Sequence, residues 1–276
     1  FHQTTPSALA SEYTRYCVSE FIRTYPNVGL MMTLGEALAP RFGPEWLTKT
    51  IIPGVKDGMR ALGTEQEPPI IVRAHATEIE EAMKQALPLY RNIYTMHKWN
   101  GESLTWTDVR GEVRRLHESL ARLGSTHISN VHILANLEPF RWGSPEFVRE
   151  AMKSSERLGI RGLHLYPLRY WDWPVTADRA AEPLLQIDRD WIWYEAWARY
   201  AWNPDRAPEA EREYWTMRLA EKYGTRQAGA AILDAYQFAG VCAPRLLPRI
   251  GITEGNRQAF SLGMLMTQLI NPERYN

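Results

Sequence analysis

The chain has 276 residues, 45% of them hydrophobic and 23% charged, and its 32 basic and 32 acidic side chains cancel to a formal net charge of zero. That length and composition allow one large domain or two modest ones, with room for a full core. Basic residues alternate with acidic ones along helical stretches, which excludes the basic face of a nucleic-acid binder; no apolar run is long enough to span a membrane, and no signal peptide is visible. The first residue is Phe1 and not Met, which leaves room for a leader or a longer N-terminal part outside this sequence.

From Ala8 to Tyr25 the apolar positions recur at helical spacing, and "YPN" at 25–27 ends the helix. "VGLMMTLGEA" then reads as a buried strand running to Glu36. A loop with Pro40, Gly43 and Pro44 leads into a helix over 45–62. A strand is expected at 69–75 and a helix at 77–89. Another strand follows at 91–97, with a long loop behind it, and a helix at 109–123. "SNVHILANLEPF" is the next strand, followed by a helix at 144–158 and a last strand at 160–166. Beyond about 175 the strand rhythm stops, and 178–201, 207–223, 226–240 and 255–270 read as helices, with "NPD" at 203–205 and Gly224 as breaks.

Strands apolar on both faces, alternating with helices and joined by links too long for hairpins, predict a parallel α/β sheet. A flavodoxin-like sheet would suit five strands. However, the loops after the strands are long and rich in Trp, His, Arg and Glu, while those before them are short. That asymmetry belongs to a (β/α)8 barrel (TIM barrel) with function on its C-terminal face. Five strands do not close such a barrel. The expectation is therefore its C-terminal part, strands four to eight, over 1–175, and a helical domain or extension over 176–276.

The two cysteines, Cys17 and Cys242, cannot form a disulfide framework and read as small buried thiols. The 11 Trp and 13 Tyr are a compositional excess, suited to cores and to stacking on sugar faces. The expected strand ends gather chemistry: Glu36; Arg73 and His75; His97, Lys98, Trp99, Asn100 and Glu102; Asn136, Glu138, Arg141 and Trp142; Tyr166, Arg169, Trp171, Asp172 and Trp173. Parity places Arg73 with His75, Asn136 and Glu138 with His132, and His164 with Tyr166, as inward-pointing positions require. Two carboxylates on separate strands, ringed by aromatics, suit glycoside hydrolysis: one protonates the leaving oxygen, the other attacks or activates water. Four histidines, at 75, 97, 132 and 164, raise a metal-dependent barrel hydrolase as the competing reading, although no HxH or HxxxH pair exists. A non-catalytic sugar-binding barrel is the third. No GxSxG and no glycine-rich phosphate loop is present.

Glu36 ending a fourth strand and Glu138 ending a seventh resembles the large clan of retaining glycosidases, although Gly35 stands where that clan usually has Asn. "WARYAWNPD" at 197–205, followed by "APEAEREYW", resembles a segment of the xylan α-glucuronidases of glycoside hydrolase family 67, and "KWNG" at 98–101 and "LEPFRWGSP" at 137–145 loosely resemble that family's strand-end motifs. The resemblance implies Glu36 as general acid, Glu138 as base or nucleophile, and Glu102 as a second candidate base. A uronate substrate would want a cation, and Arg73, Lys98, Arg141 and Arg169 are placed to provide one. The expected partner is a carbohydrate, with His75, His97, Trp99, Asn136, Trp142, Tyr166 and Trp171 as further substrate contacts. No cofactor or metal is expected. A homodimer and an N-terminal half of the same barrel are the protein partners the reading allows, in a periplasmic or secreted setting.

Overall fold

The computed structural model describes residues 5–100, 104, 106–131, 143–167, 173–176, 181–242 and 245. Helix α1 (Ala8–Thr24) starts where the Ser7 hydroxyl accepts a hydrogen bond from the Ala10 N–H at 3.1 Å, meeting one of the first turn's free donors. It stops at Tyr25, because the residue before a proline is pushed out of the helical region. Strand β1 (Leu30–Thr33) is followed by a helical stretch that runs from α2 (Gly43–Trp46) through one π-helical turn (Leu47–Ile51) into α3 (Ile52–Leu62). Gly63, at φ 65°, takes the left-handed position that closes α3. Then come β2 (Ile70–Arg73), α4 (Ile79–Ala86), β3 (Ile93–Lys98), α5 (Gly111–Ala121), β4 (His127–Val131), α6 (Pro145–Arg157) and β5 (Gly162–Leu165). The helices α7 (Gln186–Arg189), α8 (Trp191–Trp202), α9 (Pro208–Tyr223) and α10 (Arg226–Gly240) follow. The segment at 255–270, expected to be helical, lies outside the described residues.

The strands form one sheet in the order β1-β2-β3-β4-β5. β1 and β2 pair in parallel with Leu30 beside Ile70 and Thr33 beside Arg73, and β2 and β3 with Ile70 beside Ile93. Further along, the Thr95 N–H donates to the Thr126 carbonyl and the Trp99 N–H to the Asn130 carbonyl. The Arg161 N–H donates to His127 and the Tyr166 N–H to Val131. Residue numbers rise together across each pair, so these strands are parallel as well. The order never reverses, whereas a flavodoxin-like sheet must reverse at its switch point. The strands are shorter than their apolar runs predicted. β1 ends three residues before Glu36, which therefore sits in the loop beyond the strand.

The chain packs as two compact units that share the sequence in alternating pieces: Phe1–His97, Arg114–Ser129 and Leu158–Gly162 in unit 1, and the remainder in unit 2. Unit 1 has an aliphatic core. Ile22, Leu47, Ile52, Val55, Ile70, Val72, Met83 and Ile93 are all but inaccessible to solvent and pack as one cluster. Here α1 lies tight against α3, because two glycines one helical turn apart leave no side chain between the helices. A Cβ on Gly54 would stand 2.8 Å from the Arg15 carbonyl oxygen, and one on Gly58 2.7 Å from that of Ser19. Cys17 is exposed and Cys242 half-buried, against the expectation of two buried thiols. Cys17 lies on the outer side of α1, with the exposed rings of Tyr13 and Tyr16.

Unit 2 is built on rings and ion pairs. Trp193, Trp197, Tyr200 and Trp215 are fully buried, and the Trp215 Nε1–H donates to the Tyr200 hydroxyl at 2.8 Å. Trp193 and Trp197 meet edge to face at 5.5 Å. Arg199 on α8 grips Glu211 on α9 with two hydrogen bonds of 2.8 Å, its guanidinium lying 3.5 Å from the centre of the Tyr214 ring. The "NPD" break stops α8 as expected: the Asn203 side-chain oxygen accepts from the Asp205 N–H, and Pro204 cannot continue the helix.

Candidate functional site

The mouth of the sheet in unit 1 is shaped by the backbone. A Cβ on Gly35 would lie 2.0 Å from the Ala76 carbonyl oxygen, so only glycine lets the loop after β1 touch the loop after β2. Glu36, next to Gly35, and Ala76 itself have φ of 81° and 48°. Side chains rarely adopt the left-handed region, and where they do the surroundings hold them there, a pattern concentrated at binding and catalytic sites. The result is to set Glu36 facing His75: the His75 Nε2–H donates to Glu36 Oε1 at 2.8 Å. The Glu36 side chain is 69% exposed and that of His75 37%. An exposed pair of this kind adds at most about 1 kcal/mol of stability, so what it contributes is orientation of the carboxylate.

Two further predicted residues of unit 1 lie on the adjoining strand ends. Arg73 ends β2, two residues before His75, and its Nε is buried without a hydrogen-bond partner among the described residues, an arrangement that costs free energy unless something else accepts from it. His97, near the end of β3, bonds through Nδ1 to the Ala74 carbonyl at 2.7 Å. A carbonyl only accepts, so Nδ1 carries the proton in that bond.

Behind His97 runs a line of buried histidines that the sequence did not single out. The His97 and His117 rings are 5.3 Å apart, His117 Nδ1 is 2.8 Å from His127 Nε2, and His127 Nδ1 is 2.9 Å from the Thr95 hydroxyl. Burial pushes His127 down to about 3; His117 and His97 add to the shift and the bond to Thr95 opposes it. One ring is on a helix and the others on strands, at spacings with no motif, so nothing in the order of residues announces the contact.

Unit 2 holds three of the predicted substrate contacts. Lys98 is nearly buried. Trp99, expected as a sugar platform, is only 2% exposed, and its indole N–H donates to the Trp106 carbonyl at 2.8 Å. Tyr166 stands 5.1 Å from the His164 ring, edge to face, on the shared face that parity predicted. Glu102, Asn136, Glu138, Arg141, Trp142, Arg169 and Trp171 lie outside the described residues. Among the described residues no group of three or more His, Cys, Asp or Glu side chains could hold a metal ion, and no helix is long and apolar enough to cross a membrane.

An oriented, solvent-open carboxylate beside a histidine can exchange a proton with a ligand, and a half-buried guanidinium at the strand end can hold an oxygen of one. Neither a family model nor a curated protein matches the sequence. A solved structure does, along all of it: a GH138 enzyme targeting pectin rhamnogalacturonan II, 50% identical, with a TM-score of 0.91 over 100% of this chain. The chain spans 33% of the length of that protein. The neighbour is a glycoside hydrolase, of a different family from the xylan α-glucuronidases that "WARYAWNPD" resembles.

Proposed function

We propose that this chain is the catalytic part of a glycoside hydrolase that cleaves a bond in a pectic polysaccharide. Its parallel strands would belong to a (β/α)8 barrel, and Glu36 would be one of the two catalytic carboxylates. The observation that carries the reading is the 50% identity, along the entire chain, to a glycoside hydrolase directed at pectin. The unbroken strand order supports the barrel. The glycine contact, the left-handed backbone and the His75 bond support Glu36, because together they fix one carboxylate at the end of the sheet where such barrels work. The second carboxylate is Glu138, with Glu102 as the other candidate. Arg73 favours an acidic sugar over a neutral one, since its buried Nε offers a donor that a sugar carboxylate would meet. A uronide remains the proposed substrate class, and the glucuronide linkage suggested by family 67 has no further support.

Glu36→Gln in the full-length protein tests this directly. Removing a general acid or base typically lowers the rate about 10²–10⁴-fold. The expected result is a loss of that size on pectic oligosaccharides, with binding affinity within a few-fold of wild type. Full hydrolysis by both Glu36→Gln and Glu138→Gln would overturn the assignment. Binding without hydrolysis in the wild type would support the sugar-binding alternative.

A further inference from the structure

Unit 2 carries a cavity of about 180 Å³ where the first turns of α6 and α9 come together, lined among others by Glu146, Arg149, Tyr200, Arg212, Trp215 and Gln237. Most of its charge is already matched. Both oxygens of the lining Glu211 are taken by Arg199 at 2.8 Å. Arg212 holds Asp234 with bonds of 2.7 and 3.1 Å. The Tyr200 hydroxyl accepts from Trp215. Arg149 is the exception. It is only 7% exposed, its Nε has no hydrogen-bond partner among the described residues, and it pairs with the acid beside it, Glu150, only at 3.6 Å. That distance is outside hydrogen-bond range, and a buried guanidinium donor left unmet is costly. The start of α9 adds to the same polarity, because Ala207 at its N-cap offers no side-chain acceptor to the free N–H groups of the first turn.

From this we infer that the cavity is a binding site for a small carboxylate, held by Arg149. One cation held only by a long 3.6 Å ion pair, with further carboxylates of the protein close by, suits a singly charged ligand; a phosphate or sulfate dianion would face Glu211 and the exposed Glu146. The planar guanidinium matches a carboxylate in two parallel bonds. Leu233, Trp215 and the prolines that open α6 and α9 give the walls an apolar part for the rest of the ligand. Such a carboxylate belongs either to a free organic acid or to an acidic sugar.

The test is thermal melting and calorimetric titration of the full-length protein with acetate, with glucuronate and with glucose, at constant ionic strength. Acetate and glucuronate should bind and raise the melting temperature, and glucose should do neither. Arg149→Met should abolish the shift. Replacing a poorly satisfied buried cation by an apolar chain is often neutral to folding, so this variant is expected to fold. Glu150→Gln, which removes the competing acid, should tighten acetate binding about threefold or more and supplies the answer if Arg149→Met does not fold. Glucuronate binding at least tenfold tighter than acetate assigns the site to a sugar-borne acid; equal affinities assign it to free acids. A shift with acetate no larger than with chloride, or one that survives Arg149→Met, would overturn the proposal.

Discussion

The two units stabilise themselves by different means. Unit 1 packs aliphatic side chains between a sheet and helices brought together by glycine, and its buried polar groups include the neutral imidazole of His127 against His117. Unit 2 packs indoles and phenols between helices, and its buried polar groups include charged pairs: Arg199 with Glu211, and Arg189 with Asp190 at 2.9 Å. Neutral burial costs less desolvation than charged burial, and a charged pair holds only while both partners are present. The two units should therefore fail under different perturbations.

The largest effect is expected in unit 2. Arg199→Met leaves the Glu211 carboxylate buried with its bidentate partner gone, a change that typically costs about 3–5 kcal/mol. Urea unfolding followed by tryptophan fluorescence would read it, because the buried indoles of unit 2 report on the same helices. Arg199→Met combined with Glu211→Met should recover most of the loss, since an apolar pair of similar volume needs no compensating charge. If the single variant is as stable as wild type, the pair contributes nothing and the contrast between the units disappears.

A smaller effect is expected in unit 1, and it comes from shape alone. In Gly58→Ala the new Cβ would lie 2.7 Å from the Ser19 carbonyl oxygen and 2.8 Å from Ile22 Cβ. Overpacking of this kind costs about 1–3 kcal/mol, offset by about 1 kcal/mol gained from alanine's better helix propensity. A net loss of up to about 2 kcal/mol in urea unfolding is the expected outcome. A stabilised variant would mean that α1 moves away from α3 freely, and that the glycines do not set the helix spacing.

What the sequence disclosed divides along similar lines. The alternation of apolar runs with helical spacing is a local signal, so the order of strands and helices was legible. "NPD" was legible as a stop because its hydrogen bond is made within a few residues. The ends of the strands were not, because β1 stops at Thr33, just before Gly35 meets Ala76, a residue far along in the chain. The abundance of tryptophan was visible, but its destination was not: Trp99 is enclosed while Trp202 is 87% exposed. Glu36 could be picked out as an acid closing an apolar run. Its bond to His75, and the His117–His127 contact, are tertiary facts that no spacing rule encodes.

The last prediction uses pH to separate the neutral core from the charged one. An unfolded histidine titrates near 6.5, whereas His127 in the fold is held down to about 3 by burial and by its histidine neighbours. Between those values the unfolded chain binds a proton that the folded chain refuses, so stability is complete above about pH 6.5 and falls as pH drops towards 3. The slope from this one group is at most about 1.4 kcal/mol per pH unit. Glu211 behaves otherwise. Burial alone would raise its carboxyl, but the hydrogen bonds from Arg199 and Tyr200 outweigh that and hold it below the ordinary range. Its contribution is therefore intact above the unfolded carboxylate value of about 4.3 and is lost only below it. Urea unfolding at a series of pH values should show stability declining already between 6.5 and 5, before the contribution of Glu211 begins to fall. His127→Gln should flatten that first decline and leave the loss below about 4.3 unchanged. A first decline equally steep in His127→Gln would show that the buried imidazole is not its source.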